Sequence, residues 1–140
     1  MSTPYSEIDE MFLNDIKDDT LLLFDVDDRE KKLNDLRVKA ITKFKACIKD
    51  LSDRNENLKQ FNQDLTDEEK LIIATAMRKF WLNDKVYDMK LLRQKFTTKD
   101  WKMTSQATHL LRLLDLKDNL ERELSKMIVS YTLYAYMSKK

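Results

Sequence analysis

The chain has 140 residues, 36% charged and 42% hydrophobic, with a formal net charge of +1 and no glycine at all. Average usage of about 7% would supply roughly ten glycines. Without them the Walker P-loop, the dinucleotide-binding fingerprint and the nucleophile elbow are excluded, since each needs positive φ or a close backbone approach.

Tight two-residue hairpins are disfavoured on the same ground, which leaves helices joined by polar connections and a chain suited to binding more than to catalysis. The length fits one helical domain spanning 1–140. A lone Cys47 forms no internal disulfide, and with His109 the single histidine no zinc set assembles. No cofactor or metal is expected. The Met-Ser-Thr-Pro-Tyr start has neither the basic nor the apolar part of a signal peptide. The charge-free stretch 127–138 is shorter than the ~20 residues of a spanning helix. A reducing, cytoplasmic setting without membrane association follows.

In chain order, Thr3 with Pro4 reads as an N-cap followed by proline at the first helical position. Ile8, Met11, Phe12 and Ile16 then recur at helical spacing, so a first helix spans 4–17. Asp18-Asp19-Thr20 ends it, and Leu21–Phe24 is an apolar connector whose state the sequence leaves open. Asp27 and Glu30 resemble a capping box for a second helix over 28–51, striped by Leu33, Leu36, Ala40, Ile41, Phe44, Cys47, Ile48 and Leu51. Residues 52–65 are polar apart from Leu58, Phe61 and Leu65 and read as a long loop or a short helical turn.

Thr66 and Glu69 form a cleaner capping box for a third helix over 67–82. That helix is apolar nearly all round and belongs in the middle of a bundle. A shorter fourth helix covers 85–95, and a fifth runs from 103 to 137, striped by Leu113, Leu116, Leu120, Leu124, Met127, Tyr131 and Tyr134. The fold class is therefore all-α, a bundle of about five helices with a long C-terminal member. A stripe of that length outruns a small bundle, so part of the last helix is expected to pack on another molecule.

Several constellations have competing readings. Leu21–Asp28 matches the first motif of haloacid-dehalogenase-type phosphatases, an apolar strand delivering a nucleophilic Asp25 with Asp27 two residues on. That motif usually continues with threonine where this chain has Arg29, no strand-helix alternation follows, and a capped helix start explains the same acids. As a calcium loop counted from Asp25, the sixth and twelfth places hold Glu30 and Leu36 where glycine and glutamate are needed. Cys47 lies on an apolar stripe and reads as a small core residue.

Charge is unevenly placed. Residues 1–28 hold nine acids against Lys17, a net of −8, which leaves +9 on residues 29–140. Asp15, Asp18, Asp19, Asp25, Asp27 and Asp28 form a candidate acidic interface or channel face. The segment 78–102 holds eight bases against three acids with Trp81, Tyr87, Phe96 and Trp101 interleaved. Two helices joined by a short turn there would suit a DNA-binding or regulatory helix pair, with Lys85, Lys90, Arg93, Lys95, Lys99 and Lys102 as contacts. Tyr131, Tyr134 and Tyr136, followed by Lys139 and Lys140, are candidate subunit contacts, because tyrosine buries a large area while keeping a polar tip.

Three segments together carry a resemblance: Tyr5-Ser6-Glu7-Ile8 through Phe12-Leu13; Asp64–Glu69 leading to Trp81-Leu82; and Thr98-Lys99-Asp100-Trp101 with Ser105-Gln106-Ala107. Their order and spacing resemble the head–tail connector (neck, or adaptor) proteins of tailed bacteriophages infecting Gram-positive hosts, over about residues 5–135. The resemblance implies a non-enzymatic virion protein, made in the host cytoplasm, that repeats as a homo-oligomeric ring between the capsid portal and the tail proteins. Passing DNA would cross its channel without sequence-specific binding. The family has no catalytic residues to carry over.

Overall fold

The structure, a computed structural model, describes residues 2–16, 26–93 and 105–138. Four helices dominate the described residues: α1 (Tyr5–Ile16), α2 (Val26–Lys43), α3 (Asp67–Arg93) and α4 (Ser105–Ser138). Three two-residue strands, β1 (Thr3–Pro4), β2 (Arg54–Asn55) and β3 (Gln60–Phe61), form a small antiparallel sheet in the order β1-β3-β2. The helical class expected from composition is therefore what the chain adopts, with four helices among the described residues.

The apolar periphery of α3 explains its position. Ile72, Ile73, Ala74, Ala76 and Met77 are all fully buried, and α3 packs against each of the other three helices. The Thr66–Glu69 capping box forms as its spacing requires: the Glu69 N–H donates to Thr66 Oγ1 at 3.2 Å and the Thr66 N–H to Glu69 Oε1 at 2.8 Å.

Two expected boundaries are corrected. The break placed between the third and fourth helices, at Asn83-Asp84, does not exist, because α3 runs unbroken to Arg93. Asn and Asp disfavour a helix interior by about 0.7 kcal/mol each. Across that stretch, however, Leu82 and Val86 pack with Leu110, Leu113 and Leu120 of α4. Each buried aliphatic side chain contributes about 1.5–3 kcal/mol, so packing outweighs local preference. The second helix, expected to reach 51, ends at Lys43. Phe44 and Leu51 remain in the core, but Ile48, placed on the same stripe, is 58% exposed. The segment after Lys43 turns away so that Cys47, Ile48 and Lys49 reach groups on α3 and α4.

Residues 52–65 hold the hairpin β2–β3 where a loop or helical turn was expected. Its four-residue connection closes on Lys59 at φ 54°, the left-handed conformation that glycine normally supplies. Asn55 Oδ1 accepts the N–H groups of Asn57 and Leu58, which fixes the turn from inside. Thr3 is not the expected N-cap. It pairs with Phe61, and its hydroxyl donates to the Gln63 carbonyl at 3.0 Å while accepting the Leu65 N–H at 2.9 Å. Pro4 then lies on an edge strand, where a missing N–H costs nothing.

The 34 residues of α4 extend about 50 Å. Its inward stripe is Leu110, Leu113, Leu120, Leu124 and Tyr131, with Leu110 joining and Leu116 left exposed. No helix among the described residues is long and apolar enough to cross a membrane.

Candidate functional site

The densest polar constellation gathers around Glu69, in the first turn of α3, whose side chain is 1% exposed. Four donors converge on its carboxylate. Oε1 accepts from the Thr66 N–H at 2.8 Å and Lys49 Nζ at 2.9 Å; Oε2 accepts from Tyr131 Oη at 2.6 Å and Cys47 Sγ at 3.4 Å. Burial by itself raises the carboxyl, but hydrogen bonds from Thr66, Tyr131, Lys49 and Cys47 outweigh it and bring the group down to about 2. The same burial pushes the Cys47 thiol up to about 11 and moves the Tyr131 phenol well above its ordinary range. At neutral pH this leaves a bound anion, a protonated thiol and a protonated phenol. Such a set holds elements together and offers neither a nucleophile nor a labile proton.

Tyr131, expected among the outward contacts, is therefore part of the interior. It is 5% exposed, its ring edge rests on Phe44 at 5.1 Å between centroids, and its hydroxyl also accepts the Ile48 N–H at 3.1 Å. Thus α4 is latched to α3 and to the segment after α2 at one point. Beyond that latch the helix changes character. Tyr134 is 72% exposed and Met137 69%, Leu133 and Tyr136 are also exposed, and Val129 is exposed just before the latch. Of these, Tyr134 lies on the expected stripe and Tyr136 is among the expected contacts, while Val129, Leu133 and Met137 lie off that stripe.

A second buried charge pair fixes α1 to α2. Arg37 Nη2 donates to both carboxylate oxygens of Asp9, at 3.0 and 2.7 Å, and its guanidinium lies 4.2 Å over the Tyr5 ring. The Tyr5 hydroxyl donates to Glu56 Oε1 at 3.0 Å, tying the hairpin to α1. Glu7 meets Lys70 of α3 at 2.8 Å. Two of the acids in the −8 segment are thus neutralised within the chain.

Of the other candidate acids, Asp18, Asp19 and Asp25 lie outside the described residues, as do the side chains of Asp15, Asp27 and Asp28. Lys95, Lys99, Lys102, Lys139 and Lys140 lie outside them too, with the side chain of Arg93. Lys85 stands 5.5 Å over the Trp81 ring, and Lys90 is exposed on the same helix. With α3 continuous, the turn of the expected DNA-binding helix pair is missing, and five residues of helix separate Lys85 from Lys90 by about 140° around the axis.

Among the described residues no group of three or more His, Cys, Asp or Glu side chains is gathered as a metal site would require. Glu69 is signalled in the sequence by its capping box. Its partners Lys49, Cys47 and Tyr131 stand 20, 22 and 62 positions away and carry no local motif. No protein family, curated protein or solved structure matches this chain.

Proposed function

We propose that this protein is a non-catalytic assembly subunit that docks onto its neighbours through exposed side chains near the end of α4, and that it serves as a head–tail connector of a tailed bacteriophage. The observation that carries the docking role is the exposure of Val129, Leu133, Tyr134 and Met137 on a helix already latched at Tyr131. Aromatic and aliphatic side chains clustered in the open are characteristic anchors of protein interfaces. They are held on a preformed helix, so docking costs little ordering entropy.

The connector assignment rests on the resemblance of the three segments described above. A ring interface is heterologous and brings two different faces of each subunit together. The segregation of −8 in residues 1–28 from +9 in the remainder suits such a pairing, steering encounter and register more than adding affinity. Partners are then further copies of the chain, the portal and the tail proteins, with DNA passing unread.

Co-sedimentation with portal-bearing capsids tests this reading. The wild-type protein is expected to travel with the capsids. The double variant Leu133→Lys, Tyr134→Lys is expected to stay in the supernatant while its thermal stability changes by no more than about 0.5 kcal/mol, as for exposed positions. Wild-type protein left in the supernatant defeats the connector assignment. A double variant that still travels defeats docking through α4.

A further inference from the structure

An open groove of about 690 Å³ runs between α2 and α3, away from the Glu69 latch and the exposed end of α4 in its lining residues. Its apolar floor comes from Val38, Thr42 and Phe80, and Val38 is exposed although it sits mid-helix. Its rim carries Lys39, Lys43 and Lys45. Among the described residues no carboxylate pairs with any of the three. The one acid on the rim, Asp84, is engaged by Lys32.

One further observation concerns the charge at the groove. Beside the groove, Lys79 is lowered first by burial and next by the charge of Lys43, while Glu121 offsets this only in part. Glu121 itself faces Lys117 at 3.9 Å. Among the described residues positive charge is therefore in excess here, with Glu121 only a partial offset.

We infer that the α2–α3 groove receives an acidic, amphipathic peptide segment of a partner protein. Each feature has its counterpart in such a ligand: apolar side chains for Val38, Phe80 and the Thr42 methyl, and carboxylates for the lysine rim. A nucleic-acid strand matches less well. Its phosphates satisfy the lysines, but its charged backbone brings no apolar side chain to Val38 and Phe80. The inference stands on α2 and α3 and does not depend on the role of α4.

The test uses the full chain and a short synthetic peptide of leucine and glutamate patterned as an amphipathic helix, with a scrambled peptide of equal composition and a DNA duplex as comparators. The patterned peptide is expected to shift the amide resonances of Val38, Thr42, Phe80 and Asn83, and to bind more tightly than the scrambled one. Lys39→Glu with Lys43→Glu, both at exposed positions, should weaken that binding roughly tenfold or more with unchanged melting. Equal binding of the scrambled peptide, insensitivity to the charge reversals, or tighter binding of the duplex at the same residues overturns the inference. So does a concentration-dependent shift of these resonances without any peptide, because the occupant would then be a second copy.

Discussion

A buried carboxylate survives only where donors replace the water it loses, and Glu69 has two on each oxygen. The consequence is a pH dependence of known sign. Its carboxyl titrates near 4.5 when unfolded and at about 2 in the fold. The stability this supplies is complete above the unfolded value and drains away as pH falls from about 4.5 toward 2. The shift corresponds to something on the order of 3 kcal/mol. Glu69→Gln removes that titration. The stability gap between wild type and Glu69→Gln, followed by denaturant melts across the acid range, should therefore be widest near neutrality and close within that window. A gap that stays constant down to pH 2 would show that the four donors do not favour the anion. Lys59 illustrates the opposite economy at the same scale: in a chain without glycine, a lysine takes the left-handed turn position and Asn55 stabilises the turn around it.

At the scale of elements, α3 decides the fold, since every other helix rests on it. Its continuity through Asn83 and Asp84 makes a direct prediction. Their backbone amides should exchange with deuterium about as slowly as that of Leu82, whereas exchange as fast as an exposed loop would restore the break that the local sequence suggests. The reason that break was misleading also marks where sequence reading stops. Periodicity located α1, the body of α3 and nearly the whole of α4, because each carries an apolar stripe or surround that needs no knowledge of its partners. It could not foresee that Leu82 and Val86 meet Leu110, Leu113 and Leu120, nor that Thr3 crosses to Phe61 to start a sheet. Both depend on contacts between distant positions. The α2 stripe failed for the same reason: Phe44 and Leu51 do reach the core, but along a chain bent toward Glu69 after Lys43. Of the candidate site, the length of α4 and the exposure of Tyr134 and Tyr136 agree with the sequence reading, whereas the exposed Val129, Leu133 and Met137 lie off the expected stripe. The burial of Tyr131 was not legible, since only the fold brings its hydroxyl to Glu69.

For the whole molecule, the distribution of commitments matters more than any single contact. The interior charges of Glu69, Arg37 and Asp9 hold α1, α2, α3 and α4 together, and the proposed docking falls to surface features. Those features are an apolar helix end beyond a firm latch and a lysine-rimmed groove elsewhere on the surface. Docking through α4 is the claim on which the rest depends, and photo-crosslinking measures it most directly. A photoreactive amino acid is placed at Leu133, at Tyr134, or, as an exposed control on the same helix, at Lys126. In producing cells the first two positions should yield a discrete adduct with a second copy or one partner protein, and the control should yield none. Absence of any adduct from Leu133 and Tyr134, or the same adduct from all three positions, would contradict the assembly role.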